Sequence, residues 1–266
     1  MISLVRADLF KLRKRAMSWV MLIIMAVFVI LEMLSFALVA PGSVNYAFPG
    51  GLLEGLAPFP IAGTFIMIVL GALVVGSEYG YDTWKNLLIR RADRTSFILS
   101  KWLALFVATG VGLIVLLPLG QLVGLILDGT LHLVGPAASL SPGGALVIIL
   151  MQSLLPLVAG TVALMGAVIG RSSVAGIVIG IAWFSIDSVL GGFFPLASFG
   201  NATVFLQARL TGMAMASNGN IGPVHLPGEL SGSLGLVPIA VVIFYLIIPI
   251  TVAAIVFRKR DMLGAA

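Results

Sequence analysis

Few side chains in this sequence could carry chemistry. There is no cysteine, which excludes disulfides, thiolate metal sites and cysteine nucleophiles. The two histidines, His132 and His225, fall in loop-like segments with no carboxylate at metal-ligand spacing. No Gly-x-x-x-x-Gly-Lys-Ser/Thr phosphate loop occurs. The sequence therefore predicts no acid–base or nucleophilic catalysis, no metal or cofactor of its own, and no ATP hydrolysis by this chain alone.

Polar side chains inside apolar segments are the other candidates. Glu32 and Asp187 lie toward the outer ends of two such segments, and Gln121 and Gln152 lie within two others. Because these groups are costly in lipid, they tend to face a bundle interior, a partner or a water-filled path. A substrate route is one interpretation of Glu32 and Asp187. A helix–helix hydrogen bond, or a carboxylate that reaches the nearby interface, is the other.

The elements that must position these residues follow from composition. Hydrophobic residues make up 60% of the 266 positions and charged residues only 9%, with a mean hydropathy of +1.18. Soluble domains carry roughly 25% charged residues. The sequence therefore predicts an all-α integral membrane protein with a single domain, 1–266. Six segments have about the 20 apolar residues that a membrane-spanning helix needs: 17–40, 58–76, 100–127, 144–169, 174–195 and 236–257.

The basic residues predict the orientation of these spans. Fourteen of the fifteen lie before the first span, between or beside the second and third, in the fourth-to-fifth turn, or after the sixth, and only Arg209 lies in the intervening loops. Positively charged loops remain on the cytoplasmic side. Both termini are therefore expected to be cytoplasmic, which agrees with an even number of spans. The basic residues indicate topology and contact with anionic lipid rather than with nucleic acid.

The segment 1–16 is predicted to be an interfacial amphipathic helix. Ile2, Val5, Leu9 and Leu12 follow helical spacing, and cations surround them. A basic topogenic tail is the alternative interpretation. The apolar run from Met17 to Ala40 is longer than the core of a signal peptide, which is about 7–15 residues. It is therefore interpreted as a retained span.

Two loops are long enough to have a function. The segment 196–235 is predicted to be external and is interpreted as a partly embedded helical hairpin. The segment 77–97 is predicted to be cytoplasmic, and within it Trp84, Leu87, Leu88 and Arg91 share one helical face. A short amphipathic helix of this kind suits docking into a groove of another protein. A surface helix that rests on the membrane would show the same pattern.

The residues around this loop resemble those of the type-2 ABC export permeases. Their pattern is a Glu after the second span, a Thr, a Leu-Leu pair, an Arg, and a Lys that opens the third span. The matching residues are Glu78, Thr83, Leu87, Leu88, Arg94 and Lys101. Asp82 stands where a Gly often precedes the Thr, and Ala92 stands where a Pro is common. The likeness in order of elements covers nearly the whole chain.

The resemblance implies a half-transporter in a bacterial or archaeal plasma (inner) membrane, with an identical or homologous second permease and two cytoplasmic ATPase subunits that bind ATP and Mg²⁺. It implies that the 77–97 loop is a coupling helix that contacts the ATPase, with the expected contact residues Glu78, Asp82, Thr83, Trp84, Lys85, Leu87, Leu88, Arg91 and Arg94. The second and fifth spans would line the path. The expected path residues, together with the polar residues above, are Glu32, Phe65, Met67, Gln152, Trp183, Phe184 and Asp187.

The expected function is ATP-driven movement of a hydrophobic or amphipathic substrate. One alternative is a permease-like subunit that transports nothing and belongs to an ATPase-driven sensing, immunity or assembly complex. The other is an ion-coupled secondary transporter. The sequence shows no internal repeat and little buried charge, both of which count against the secondary transporter.

Overall fold

The computed structural model describes residues 2–39, 46, 48, 50–80, 94–131, 142–193 and 236–259. Within these ranges the chain is helical and contains no β-strand, so the all-α fold class is confirmed. The helices are α1 (Ile2–Lys14), α2 (Ala16–Val39), α3 (Gly50–Glu54), α4 (Thr64–Gly80, entered through a π-helical turn at Phe59–Gly63), α5 (Arg94–Leu131), α6 (Pro142–Gly170), α7 (Ser173–Phe193) and α8 (Leu236–Lys259).

Each of the six predicted spans coincides with one helix: α2, α4, α5, α6, α7 or α8. Four stretches are long and apolar enough to cross a membrane: Ala16–Val39, Gly50–Gly80, Thr95–Leu131 and Gln152–Gly170. The corresponding described parts of α7 and α8, Ser173–Val189 and Ile243–Arg258, are shorter. The protein is therefore a multi-pass membrane protein, and the count of six spans stays a prediction.

The helix α6 is the centre of the bundle. It packs against α4, α7 and α8, and its apolar stretch is 78% buried, whereas that of α2 is 22% buried. Leu157, Leu164 and Val168 of α6 lie in the main core cluster with Val75 of α4 and Phe257 of α8. The helices α2 and α5 instead expose large apolar side chains along their outer sides. In a membrane protein such a surface is the one that faces lipid.

The contact between α4 and α6 depends on glycine. A Cβ atom at Gly71 would overlap the carbonyl group of Gly160 on α6. Because dispersion and close backbone approach replace the hydrophobic effect inside a bilayer, small residues at such a crossing allow the helices to pack tightly. The pair therefore fixes α4 closely against the central helix.

The turn between α6 and α7 has the only described non-glycine residue with a positive φ, Arg171, at 51°. It lies in the left-handed region, where a helix commonly ends. Ser172 follows, and its Oγ accepts a hydrogen bond from the backbone N of Val174 at 3.1 Å. This side chain caps the first turn of α7, because the first amide groups of a helix have no partner within the helix.

Tyr46, which precedes α3, is hydrogen-bonded to α2. Its hydroxyl donates to the carbonyl oxygen of Met33 at 3.0 Å, and the residue is buried. Burial raises the pKa of the Tyr46 phenol, and the carboxylate of Glu54 raises it further. The phenol therefore remains a hydrogen-bond donor at neutral pH.

The two helices that flank the predicted coupling loop are longer than the sequence predicted. Helix α4 continues to Gly80 and α5 already begins at Arg94, so Glu78 lies in the last turn of α4. The physical reason is that Glu78 is buried and bound by side chains of α1 and α5, which stabilises this turn as helix. The predicted external hairpin, 196–235, lies outside the described residues.

Candidate functional site

The most concentrated group of charges in the described residues lies where α1, the C-terminal end of α4 and the N-terminal end of α5 meet. We call this the basic end of the bundle, and we call Asp8, Lys11, Glu78 and Lys101 the ion cluster. Asp8 and Lys11 are one turn apart on α1, Glu78 is on α4 and Lys101 is on α5. The cluster therefore joins the two helices that enter and leave the loop after Gly80.

Lys101 is at the centre of the ion cluster. Its Nζ donates to Asp8 Oδ1 and lies 3.0 Å from Glu78 Oε1. Lys11 Nζ lies 2.6 Å from the same oxygen of Glu78, and Ser100 Oγ donates to Asp8 Oδ2 at 3.1 Å. The two carboxylates are thus held by two ammonium groups and a hydroxyl. Charge-assisted hydrogen bonds of this kind are stronger than neutral ones.

Burial separates the inner part of the cluster from its edge. The side chains of Lys101, Glu78 and Asp8 are 2%, 3% and 7% exposed, whereas that of Lys11 is 43% exposed. Removal of one member of a buried ion pair is strongly destabilising, because the partner stays charged in a medium of low dielectric constant. The three inner groups therefore depend on one another, while Lys11 is screened by solvent.

Aromatic packing extends the cluster to the last helix. Lys101 Nζ lies 5.0 Å from the ring centroid of Phe97, within the range of a cation–π interaction. The Phe97 ring stacks on Phe257 of α8 with a centroid distance of 5.2 Å. Helix α8 is thereby in contact with the same site as α1, α4 and α5.

Arg15 makes a second connection between the N-terminal segment and α4. It is the residue between α1 and α2, and its guanidinium donates to Ser77 Oγ at 2.8 Å and to the carbonyl oxygen of Leu73 at 3.3 Å. The break between the two helices is therefore fixed against the end of α4. This boundary agrees with the predicted one, although the predicted position of α1 in the membrane interface stays a prediction.

The ion cluster connects α1, α4 and α5 through paired charges. The carboxylates of Asp8 and Glu78 are paired with the ammonium groups of Lys101 and Lys11. Among the described residues no group of three or more His, Cys, Asp or Glu side chains could hold a metal ion. The cluster instead locks three helices together at one point.

The residues predicted to contact an ATPase are only partly described. Glu78 is buried in the ion cluster, and Arg94 is the first residue of α5. The others lie outside the described residues: Asp82, Thr83, Trp84, Lys85, Leu87, Leu88 and Arg91. The ion cluster thus contains one of the residues predicted to contact the ATPase, Glu78, and lies directly beside the loop.

Sequence reasoning missed Asp8 and Ser100. Asp8 is the one acidic residue in a strongly basic segment, and it lies three residues before Lys11 on one face of α1. The sequence signal for Asp8 is an acidic residue beside an apolar stripe in a basic segment. A carboxylate on that face is unfavourable without a partner, so its presence indicates an ion pair. Lys101 was singled out only through the family resemblance, and Ser100 carried no signal.

The structure brings some predicted path residues together. Phe65 of α4 and Phe184 of α7 make an edge-to-face contact with a centroid distance of 5.3 Å. Asp187 lies one turn beyond Phe184 and is 3% exposed. Trp183 lies 5.8 Å from Tyr245 of α8, centroid to centroid. These side chains form an aromatic patch with one buried acid.

The remaining predicted path residues lie elsewhere. Met67 is buried on α4, where its Sδ accepts from Thr109 Oγ1 of α5 at 3.9 Å. Glu32 is partly exposed on α2, a helix that packs mainly against α5. Gln152 is partly buried on α6. The assignment of these residues to a substrate path stays a prediction.

The fold and the ion cluster together define a polytopic α-helical membrane protein whose N-terminal helix is joined to the base of its second and third long helices. A family profile described as ABC-2 family transporter protein matches residues 4–187, and the chain belongs to this family. The match includes every residue of the ion cluster and the loop 81–93. No curated protein sequence matches the chain significantly. Permeases of this family typically pair with an ATPase subunit.

Proposed function

We propose that this chain is the permease subunit of an ABC exporter, which moves a hydrophobic or amphipathic substrate by using ATP hydrolysed on a separate subunit. Two ATPase subunits would dock on the cytoplasmic loop 77–97, and a second permease, identical or homologous, would complete the complex. Family membership supports the transporter subunit. The observation that carries the coupling role is the ion cluster, which binds both ends of this loop to each other and to α1.

The ion cluster holds the two helix ends that flank the loop in a fixed position relative to each other. A force applied to the loop acts on the end of α4 and the beginning of α5, and these two helices are joined through Lys101 and Glu78. Removal of one partner of a buried ion pair costs about 3–5 kcal/mol, so movement of one of these helices away from the other is also unfavourable. Helix α4 in turn packs closely on the central α6 at Gly71. A displacement of the loop would therefore move the bundle interior rather than bend one helix end.

The cargo class rests on the aromatic patch. Phe65, Phe184 and Trp183 offer apolar and aromatic surface, and Asp187 offers one buried acid close by. Such a surface favours a substrate with a large apolar part over a sugar or an inorganic ion. Proteoliposomes with the whole complex should show ATPase stimulation by hydrophobic drugs or lipids. Stimulation by polar solutes alone would contradict this cargo class.

The decisive experiment is the comparison of Trp84→Ala with Trp19→Ala. Trp84 lies in the proposed coupling helix, whereas Trp19 lies at the start of α2 at the same end of the bundle. Because a buried aromatic anchor contributes about 2 kcal/mol or more to an interface, Trp84→Ala should weaken ATPase binding by about thirtyfold. Trp19→Ala should leave it unchanged. The measurement is the ATPase-to-permease ratio after affinity purification in mild detergent.

Three outcomes would contradict parts of the proposal. Equal ATPase recovery with both variants would remove the loop from the docking surface. A complex that binds ATPase but shows no substrate-stimulated hydrolysis would favour a non-transporting subunit. Transport that survives without ATP and stops when the ion gradient collapses would favour a secondary transporter. Because the chain has no cysteine, a Trp84→Cys variant can also be tested for a disulfide with one cysteine introduced on the ATPase, without competing thiols from this chain.

A further inference from the structure

A cavity of about 610 Å³ lies at the side of the bundle between α1, α2, α4 and α5. It has the size of a small-molecule site, which is about 300–1,000 Å³. Its walls are almost entirely apolar and include Leu12, Met25 and Phe59. None of the four residues of the ion cluster lines it. The cavity is therefore separate from the site described above.

The dimensions and position of the cavity match one leaflet of a bilayer. Its lining follows α5 from Val107 to Leu116, nine residue steps or about 14 Å of helix. The hydrocarbon core of a membrane is about 30 Å thick, so this length is about half of it. The rim residues Trp19 and Val111 are 54% and 47% exposed on the outer side of the bundle. The cavity thus opens toward the surface that faces lipid.

The charge of the lining is confined to the basic end of the cavity. Arg13 lines it there and is exposed, and the lining includes no acidic side chain. The lining also includes Thr109, whose hydroxyl donates to the carbonyl oxygen of Leu105 at 3.1 Å. Ser18 also lines it, and its Oγ is buried without a hydrogen-bond partner among the described residues. A buried hydroxyl without a partner is costly. Trp19 Nε1 donates to the carbonyl oxygen of Arg13 at 2.8 Å, which holds the indole beside this end.

We propose that this cavity binds one anionic glycerophospholipid from the leaflet at the basic end, with one acyl chain inside and the phosphate on the Arg13 guanidinium. The Ser18 hydroxyl donates to an ester carbonyl of the glycerol and so gains the partner that it lacks. Arg suits phosphate because its planar group donates two hydrogen bonds at once. The proposal goes beyond the proposed function, since it needs no ATPase.

A second copy of the chain is a poorer occupant. In a two-fold contact the same surface patch is present on both sides, so the Arg13 guanidinium would face a region of like charge. Lys14 lies next to it and is also exposed. An anionic headgroup instead meets the Arg13 guanidinium with opposite charge. Charge complementarity therefore favours lipid.

The cavity can be filled without disturbing the backbone. A Cβ atom at Gly112 would lie 3.7 Å from the Phe59 ring, an ordinary van der Waals distance, so Gly112→Leu should project into the cavity. Gly110 is two residues away on the same helix, does not line the cavity, and has nothing within 4 Å of its Cβ position. Gly110→Leu is therefore the matched control. Ala108→Leu is a second filling variant in case Gly112→Leu fails to fold.

The experiment counts retained lipids on the full-length chain by native mass spectrometry, with dioleoylphosphatidylglycerol and dioleoylphosphatidylcholine as the probes. The filling variants should each lose one tightly bound lipid per chain, and Gly110→Leu should lose none. Arg13→Gln should keep the lipid but lose its preference for phosphatidylglycerol, a change of about fivefold for one cation at the surface. Lys14→Gln, which changes a neighbouring exposed cation, should keep most of that preference.

Each of the following results would overturn the proposal. The first is that Gly112→Leu and Ala108→Leu retain the same number of lipids as Gly110→Leu. The second is that Arg13→Gln and Lys14→Gln reduce the phosphatidylglycerol preference equally. The third is that the filling variants change the oligomeric state and leave the lipid count unaltered, which would assign the cavity to a second copy. None of these results depends on whether an ATPase binds the loop, so failure here leaves the proposed function intact.

Discussion

Lys101→Met should be among the most destabilising single substitutions in the described part of the chain. At an effective dielectric constant of about 20, unit charges 3.0 Å apart, as in Lys101 and Glu78, attract by about 5–6 kcal/mol. Lys11 and Glu78 are 2.6 Å apart, so distance alone would predict a larger loss of stability for Lys11→Met than for Lys101→Met. Burial predicts the opposite order, because the Lys101 side chain is 2% exposed and that of Lys11 is 43% exposed. The expected losses are about 3–5 kcal/mol for Lys101→Met and about 1 kcal/mol or less for Lys11→Met.

The assay is thermal unfolding of the purified permease, monitored by tryptophan fluorescence or by size-exclusion chromatography after heating. Thiol-reactive dyes cannot be used, because the chain has no cysteine. The loss expected for Lys101→Met corresponds to a decrease in Tm of roughly 10 °C, against a few degrees for Lys11→Met. The two lysine-to-methionine changes compare a buried lysine that has two carboxylate partners with a half-exposed lysine that has one.

A double-mutant cycle tests the cause of this loss. Lys101→Met leaves the buried carboxyl group of Asp8 without its ammonium partner, whereas Asp8→Asn with Lys101→Met removes both members of this pair and leaves Glu78 with Lys11. The double variant should therefore be more stable than the sum of the two single losses predicts. Equal Tm values for Lys101→Met and Lys11→Met, or strictly additive losses in the cycle, would refute the reasoning.

Two further substitutions test the packing and the turn. Gly71→Ala should lower Tm by the equivalent of about 1–3 kcal/mol, because the added methyl group overlaps Gly160, whereas Gly80→Ala, with nothing within 4 Å of its Cβ position, should have little effect. Equal changes in Tm for Gly71→Ala and Gly80→Ala would contradict a close contact between α4 and α6 at Gly71. Arg171→Val should cost about 1–2 kcal/mol more than Arg171→Asn, because both remove the charge but a β-branched residue tolerates a φ of 51° poorly. Equal Tm values for these two variants would contradict a left-handed conformation at this position.

The helices were predictable because membrane insertion leaves a strong signal in the sequence. A run of about 20 apolar residues has few stable alternatives to a helix in lipid, so all six predicted segments coincide with helices. Their ends were less predictable. Helix α4 continues through Glu78 because that side chain is bound by residues from α1 and α5. Hydropathy along the chain contains no information about such distant partners.

The same reason explains why the ion cluster was found only in part. Glu78 and Lys101 drew attention through a family pattern, whereas Asp8 is separated from Lys101 by 93 positions. A local pattern can indicate that an acid on an apolar stripe needs a partner, but it cannot identify that partner. The expected path residues illustrate the converse, since Phe65 and Phe184 meet while Glu32 lies on a helix that packs mainly against α5.

Substitutions in the ion cluster can test stability and coupling separately, whereas substitutions in the aromatic patch cannot. The helices α4 and α5 are both part of the bundle, so they would be held near each other by packing alone. Buried charges add a requirement for a defined geometry, because a small displacement leaves a carboxylate without its partner in a low-dielectric site. If the loop transmits force, the double variant Asp8→Asn/Lys101→Met should recover stability without recovering coupling between ATP hydrolysis and transport. If the cluster serves folding only, both should recover together.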